Sequence, residues 1–157
     1  MSNKSILLKY GGDIIESELF CRGERQKHHF RSNVASHSIN TALFCILFYK
    51  ILSKLHIEIN IAVLVVAALA HDLGIIGRDK KFSSNYRCLS GHPKDSVKSL
   101  HEIVPDADEK VCDAIQSHMF PLCTSVPNSK EAWILSFSDK CASFTDFFKK
   151  YSVGTNI

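Results

Sequence analysis

No two of the six cysteines (Cys21, Cys45, Cys88, Cys112, Cys123 and Cys141) lie closer than eleven positions. That excludes a Cys-x-x-Cys clamp for zinc. An even count could frame disulfides in a secreted chain. The N-terminus "MSNKSILLKYGG", however, offers only Ile6 to Leu8 as an apolar piece and no signal-peptide core. The cysteines are expected to be buried or half-buried thiols in a cytoplasmic protein. Blocks of lysine and arginine are also missing. A net charge of +3 is too mild for the footprint of a nucleic-acid polymer. The apolar run Ile61 to Ala70 is too short to span a bilayer, so no membrane is expected. There are no repeats, no low-complexity tracts and no convincing strand. With 45% hydrophobic and 22% charged residues over 157 positions, the chain reads as one globular domain, 1–157.

What is present is helical. A short helix is expected around Asp13 to Leu19. Ser32 or Asn33 can cap a long helix to about Lys54, with Val34, Ile39, Ala42, Leu43, Ile46, Leu47 and Ile51 at helical spacing. Asn60 can cap the next helix, apolar all round and therefore central. Gly74 is placed to stop it in the left-handed conformation. "GRDKKFSSNYRCLSG" reads as a polar connection, and Pro93 as the start of a helix to about Ile103. Asp106 can cap a helix through Gln116, with Val111, Ile115 and His118 on one face. Ser129 can cap the last, whose stripe of Trp133, Phe137, Cys141, Phe144 and Phe148 reads as core. The expected fold is all-α, a compact bundle of five to six or more helices.

One stretch raises a chemical question. In "AALAHDLGIIGR" an apolar helix runs into the core and ends on His71 and Asp72. Both are costly to bury unless something pairs them. At a helix end a compact ion can meet both side chains, and imidazole with carboxylate suits a divalent metal. Other polar residues sit where apolar ones belong: His37 early in the long helix, His92 beside Pro93, His118 closing its helix, and Asp139 midway along the last. Taken singly, each buried histidine reads as a satisfied core residue. Six candidates on five separate elements are how metal sites are built inside helix bundles.

In that order, His37, His71–Asp72 and Asp139 resemble the HD-domain superfamily of metal-dependent phosphohydrolases. "SNVASHSINTA" resembles its first-histidine helix, "ALAHDLG" its namesake motif and "ILSFSDKCAS" its final aspartate helix. The likeness runs from about 33 to 147. The spacing of His92 and His118 is similar to the two-metal HD proteins, which include the HD-GYP phosphodiesterases and diadenosine tetraphosphate hydrolases. The resemblance implies an HD helical bundle. It places one ion on His37, His71, Asp72 and Asp139, and a second on His92 and His118 with Asp72 bridging. Two departures stand out: Ile75 occupies the place of an HD-GYP lysine, and Met119 that of a second histidine. The Gly-Tyr-Pro motif is absent, which argues against cyclic-di-GMP as substrate.

The resemblance further implies two divalent transition-metal ions, iron or manganese first, with zinc, nickel or magnesium open. Metal-activated hydroxide would cleave a phosphate ester of a small molecule or nucleotide, with Asp72 holding or accepting a proton. The expected partner is a small phosphorylated substrate; a homodimer is allowed. Candidate substrate contacts are Arg78 and Lys81 after the metal motif, His29 and Arg31 in "RQKHHFRS", and Lys140 beside Asp139. His28 and His29 read as lining the pocket mouth or as solvated loop residues, whereas His56 and His101 read as surface. Two alternatives are an HD-type diiron oxygenase, against which stands the lack of a Tyr-x-Gly-Glu stretch before His37, and a non-catalytic ligand sensor, against which stands the intact ligand set.

Overall fold

The computed structural model describes residues 1–28 and 32–148. Eight α-helices form the described chain: α1 (Asn3–Ile15), α2 (Glu18–Gly23), α3 (Val34–Lys54), α4 (Ile61–Ala70), α5 (Arg78–Lys81), α6 (Asn85–Ile103), α7 (Glu109–Ser117) and α8 (Lys130–Phe148). Between α2 and α3 lies a small antiparallel hairpin, β1 (Lys27–His28) with β2 (Ser32–Asn33), pairing Lys27 with Asn33. The all-α bundle expected from the pattern is what forms.

Helix α4 is the axis. Leu64, Val65, Ala67, Ala68, Leu69 and Ala70 are fully buried, and α1, α3, α7 and α8 pack around them. Ten residues make too short a helix to hold alone. Burial of Leu64, Val65 and Leu69 contributes about 1.5–3 kcal/mol each and holds it. Asn60 caps it as expected, its Oδ1 accepting from the N–H groups of Ala62 and Val63. Asn33 caps α3 in a reciprocal box with Ser36: Ser36 N–H donates to Asn33 Oδ1 at 2.7 Å, and Asn33 N–H donates to Ser36 Oγ at 3.2 Å. By length and composition alone α3 could cross a membrane, yet its face with Ala35, His37, Thr41 and Cys45 is buried in the bundle.

Several local expectations are corrected. The first helix spans Asn3–Ile15 rather than a segment around Asp13 to Leu19. Asp108, not Asp106, caps α7. Cys21 is exposed. The polar connection after Gly77 contains α5 and the start of α6, so Pro93 and His92 lie inside α6 rather than at its beginning. Proline cannot donate to the carbonyl four residues earlier. Here that carbonyl, Leu89 O, accepts from the Cys123 thiol at 3.5 Å.

Gly74 is not a left-handed stop either. It sits in a single 3-10 turn, Leu73–Ile75, and permits a close approach to α6. A Cβ there would lie 2.3 Å from His92 O and 2.6 Å from Ser96 N. Its own N–H donates to Ser96 Oγ at 2.9 Å. The left-handed glycine is Gly77, at φ 78°, ahead of α5.

The largest correction concerns α8. Its aromatic stripe is outside: Trp133 is 49% exposed, Phe137 58%, Phe144 68% and Phe148 65%. The buried stripe is Ala132, Leu135, Ser136, Ser138, Asp139, Ala142 and Asp146. At about 100° per residue a helix cannot turn both stripes inward. The one carrying Asp139 and Asp146 faces α3 because both carboxylates meet His37 there.

Replacing Gly74 by alanine should cost about 1–3 kcal/mol, because the backbone of α6 must yield to the new methyl. Gly12→Ala, where a Cβ meets nothing within 4 Å, should be neutral or stabilising. Urea unfolding of the two variants checks the contrast; equal midpoints would refute the close-approach account.

Candidate metal centre

The Asp72 carboxylate lies at the centre of the bundle, with two faces. Its Oδ2 is 3.2 Å from His28 Nε2, 3.3 Å from His71 Nε2 and 3.8 Å from His37 Nε2. Its Oδ1 is 3.2 Å from His92 Nε2 and 3.6 Å from His118 Nε2. Asp139 Oδ1 closes the first group, 3.0 Å from His37 Nε2 and 3.7 Å from His71 Nε2. All of these side chains are buried.

Local structure aims each imidazole. His71 ends α4, and its Nδ1–H donates to Ala68 O at 2.8 Å. His92 Nδ1–H donates to Cys88 O at 2.8 Å, and His118 Nδ1–H to Ile115 O at 2.6 Å. Each bond spends the Nδ1 proton on a backbone carbonyl of the residue's own helix and leaves the Nε2 lone pair pointing inward. His37 is set by a carboxylate instead: its Nδ1 bonds Asp146 Oδ2 at 2.8 Å, while Asn40 donates to Asp146 Oδ1 at 3.0 Å. A histidine whose other nitrogen is tied to a carbonyl or carboxylate is the arrangement found on metal ligands.

The donor set fits a divalent ion on its own chemistry. His71 Nε2 is buried and has no hydrogen-bond partner, a costly condition for a lone pair. His92 Nε2 and His118 Nε2 stand 3.1 Å apart, and with both Nδ1 protons spent on carbonyls two lone pairs face each other. A cation resolves both conflicts. Three overlapping groups lie within 4.8 Å, namely His28–His37–Asp72, His37–His71–Asp139 and His71–Asp72–His118.

Charge follows the same logic. Burial alone would raise Asp72, but the charges of His71, His28 and His92 outweigh it and hold the carboxyl well below the usual range. Burial would likewise raise Asp139, and His37 and His71 hold it down. For His37, burial lowers the pKa, yet the bonds to Asp139 and Asp146 and the Asp72 charge raise it to about 10. His92 is raised as well, its bond to Asp72 outweighing burial. His118 is pushed down to about 3 by burial and by His71 and His92.

A cleft of about 480 Å³ opens onto the cluster, which forms its floor through His28, Asp72, His92, His118 and Asp139. Ile75, Leu89, Met119 and Leu122 give it an apolar wall, and Arg78 and Lys140 bring cations to its lining. Arg78 donates to Asn85 Oδ1. Lys140 donates to His118 O, to Ser136 Oγ at 3.2 Å and to Asp139 Oδ2 at 3.3 Å. All six expected ligands thus converge, and two of the five expected substrate contacts line the cleft. Lys81 is exposed on α5 and lies off the cleft lining. His29 and Arg31 fall outside the described residues. His56 and His101 are exposed, as expected.

The sequence reading placed one residue too far out and missed another. His28 is on the floor rather than at the mouth, reached through the β1–β2 pairing. Asp146 follows Asp139 by two helical turns on the same face, a spacing that could have flagged it.

An all-helical bundle with a buried histidine–aspartate cluster suited to divalent metal is the class that this fold and site define. A family model described as HD domain matches residues 34–143, and the chain belongs to that family. No curated protein and no solved structure matches it.

Two outcomes follow for metal binding. A ligand must give up its proton, so uptake should release protons and tighten as pH rises toward about 10, the value to which His37 is raised. The sign comes from His37 and His92, both raised. His118 is already neutral and adds nothing. Without metal, the raised His37 pKa adds stability that is complete below about 6.5 and lost as pH climbs through about 10. Calorimetric titration in buffers of different ionisation enthalpy counts the protons; none released would contradict the assignment. Asp146→Asn should weaken metal binding about 10–100-fold while leaving the fold intact, measured by chelator competition.

Proposed function

We propose that the chain is a metal-dependent phosphohydrolase acting on a phosphate ester of a small molecule or nucleotide, with two ions sharing Asp72. The observation that carries this reading is the division of Asp72. Oδ1 faces His92 and His118, Oδ2 faces His37 and His71, and both lie on the floor of a cleft whose lining includes two cations. Membership of the HD family supports the class of chemistry.

A divalent ion bound there supplies a water whose pKa is lowered to about 7, together with positive charge for the phosphoryl oxygens. The residues supply the rest. Asp72 and Asp139 carry the negative charge that holds cations in an apolar interior. His92 and His118 take the more open position, where Met119 adds no imidazole. Asp72, held ionised, would orient the attacking water rather than keep its proton. Arg78 and Lys140 neutralise the phosphate as it enters. The wall of Ile75, Leu89 and Leu122 takes the part of the substrate beyond the phosphate. Iron or manganese suits the mixed imidazole–carboxylate set.

Purified protein should contain between one and two equivalents of transition metal and hydrolyse at least one member of a panel of phosphorylated metabolites. His71→Ala and Asp72→Ala should abolish hydrolysis and the tighter metal, whereas His56→Ala and His101→Ala should do neither. Arg78→Ala should raise KM about 10–100-fold, in line with ~1.5–3 kcal/mol for a charged hydrogen bond. Elemental analysis with steady-state kinetics checks all of these. A folded protein that takes up no divalent ion, or a His101→Ala variant as damaged as His71→Ala, overturns the reading. Metal-dependent oxygen consumption without phosphate release would favour the oxygenase alternative.

A further inference from the structure

We infer that His28 is a seventh protein ligand of the metal centre, joining the ion held on the Oδ2 side of Asp72. This assignment rests on the metal-centred reading above. Six ligands at ~2.1 Å from one ion stand ~3.0 Å from their neighbours and ~4.2 Å from those opposite. Three pairs on this side of the cluster show the neighbour spacing. His28 Nε2 to Asp72 Oδ2 is 3.2 Å, His71 Nε2 to the same oxygen is 3.3 Å, and His37 Nε2 to Asp139 Oδ1 is 3.0 Å. The wider pairs, His37 with Asp72 at 3.8 Å and His71 with Asp139 at 3.7 Å, stay inside the opposite-ligand limit. His28, His37 and Asp72 lie within 4.8 Å of one another.

Placement and burial agree. His28 is only 9% exposed, although it stands on a two-residue strand rather than on one of the core helices. Its ring centroid is 4.5 Å from that of His37 at a tilt of 47°, so the two edges can converge on one point. The hairpin is tied to the helix that carries His37: Val34 N–H donates to Gln26 O at 3.0 Å, and β2 runs straight into α3. The one non-helical element among the described residues therefore serves to deliver an imidazole to the core. With His37, His71, Asp72 and Asp139, His28 brings the protein donors on this ion to five. One position stays open there, and the ion shared by His92 and His118 is left as the one with room for substrate.

The test uses the full chain, stripped with chelator and titrated with cobalt(II), with visible absorption and elemental analysis after dialysis as readouts. His28→Ala should bind one of the ions at least ~10-fold more weakly and shift the cobalt absorption bands. His28→Asp should restore part of the affinity. His56→Ala should match wild type in both. Circular dichroism establishes that each variant is folded; if His28→Ala does not fold, His28→Gln takes its place. Unchanged affinity and spectrum in the folded His28 variant overturn the assignment while the metal reading stands. So does a variant altered only in KM for p-nitrophenyl phosphate, which would make His28 a substrate contact. Wild-type protein that takes up no cobalt overturns the metal reading and His28 ligation together.

Discussion

Five imidazoles surround one buried carboxylate. Asp72 lies within 3.8 Å of His28, His37, His71, His92 and His118. A lone carboxylate at this depth would face a desolvation penalty of several kcal/mol. Protonated imidazoles outweigh it, but in their neutral form His71, His92 and His118 spend their Nδ1 protons on carbonyls and present lone pairs. A cation completes the balance. The cluster therefore behaves as a unit: removing one member leaves the others with charge or lone pairs that nothing satisfies.

Much of the architecture serves this unit. Helix α4 carries no polar side chain until its last turn, then delivers His71 and Asp72 to the middle of the bundle. The turn that follows must lie almost against α6, or His92 could not reach Asp72. Gly74 permits that approach because it has no side chain. Within α6, Pro93 interrupts the hydrogen-bond ladder next to His92, and the Cys123 thiol takes up the freed Leu89 carbonyl. Helix α8 turns its smaller and acidic stripe inward, because Asp139 and Asp146 bond the two nitrogens of His37. Its aromatic residues are left on the outside as a consequence, with the ring of Phe137 5.3 Å from that of Phe48 on α3. The core is filled by α4 instead, whose alanines let neighbouring helices come close.

The cleft divides the work differently. Its floor is polar and rigid, built from helix ends and packed helix faces. Its cations are less constrained: Lys140 leans on a carbonyl and a carboxylate, and Arg78 on a single asparagine.

The all-helical class, the caps at Asn33 and Asn60, and the six polar residues that interrupt apolar faces were legible in the sequence alone. Each is a local property: periodicity, a capping side chain, or a charge where none is tolerated without a partner. Other features depended on which faces meet. Periodicity shows that α8 has an apolar stripe, but not that two carboxylates on another face outbid it for the interior. A proline reads as a helix start until a distant thiol takes up the carbonyl it leaves. Gly74 reads as a stop, since nothing in its neighbours in sequence reveals that α6 passes within reach. His28 reads only as pocket mouth or solvated loop, because no helical spacing links it to the cluster. Only the pairing of two short strands, and the docking of that hairpin on α3, bring its imidazole to Asp72. What the sequence determined is the set of groups that need partners; which groups become those partners is decided by packing between elements far apart in the chain.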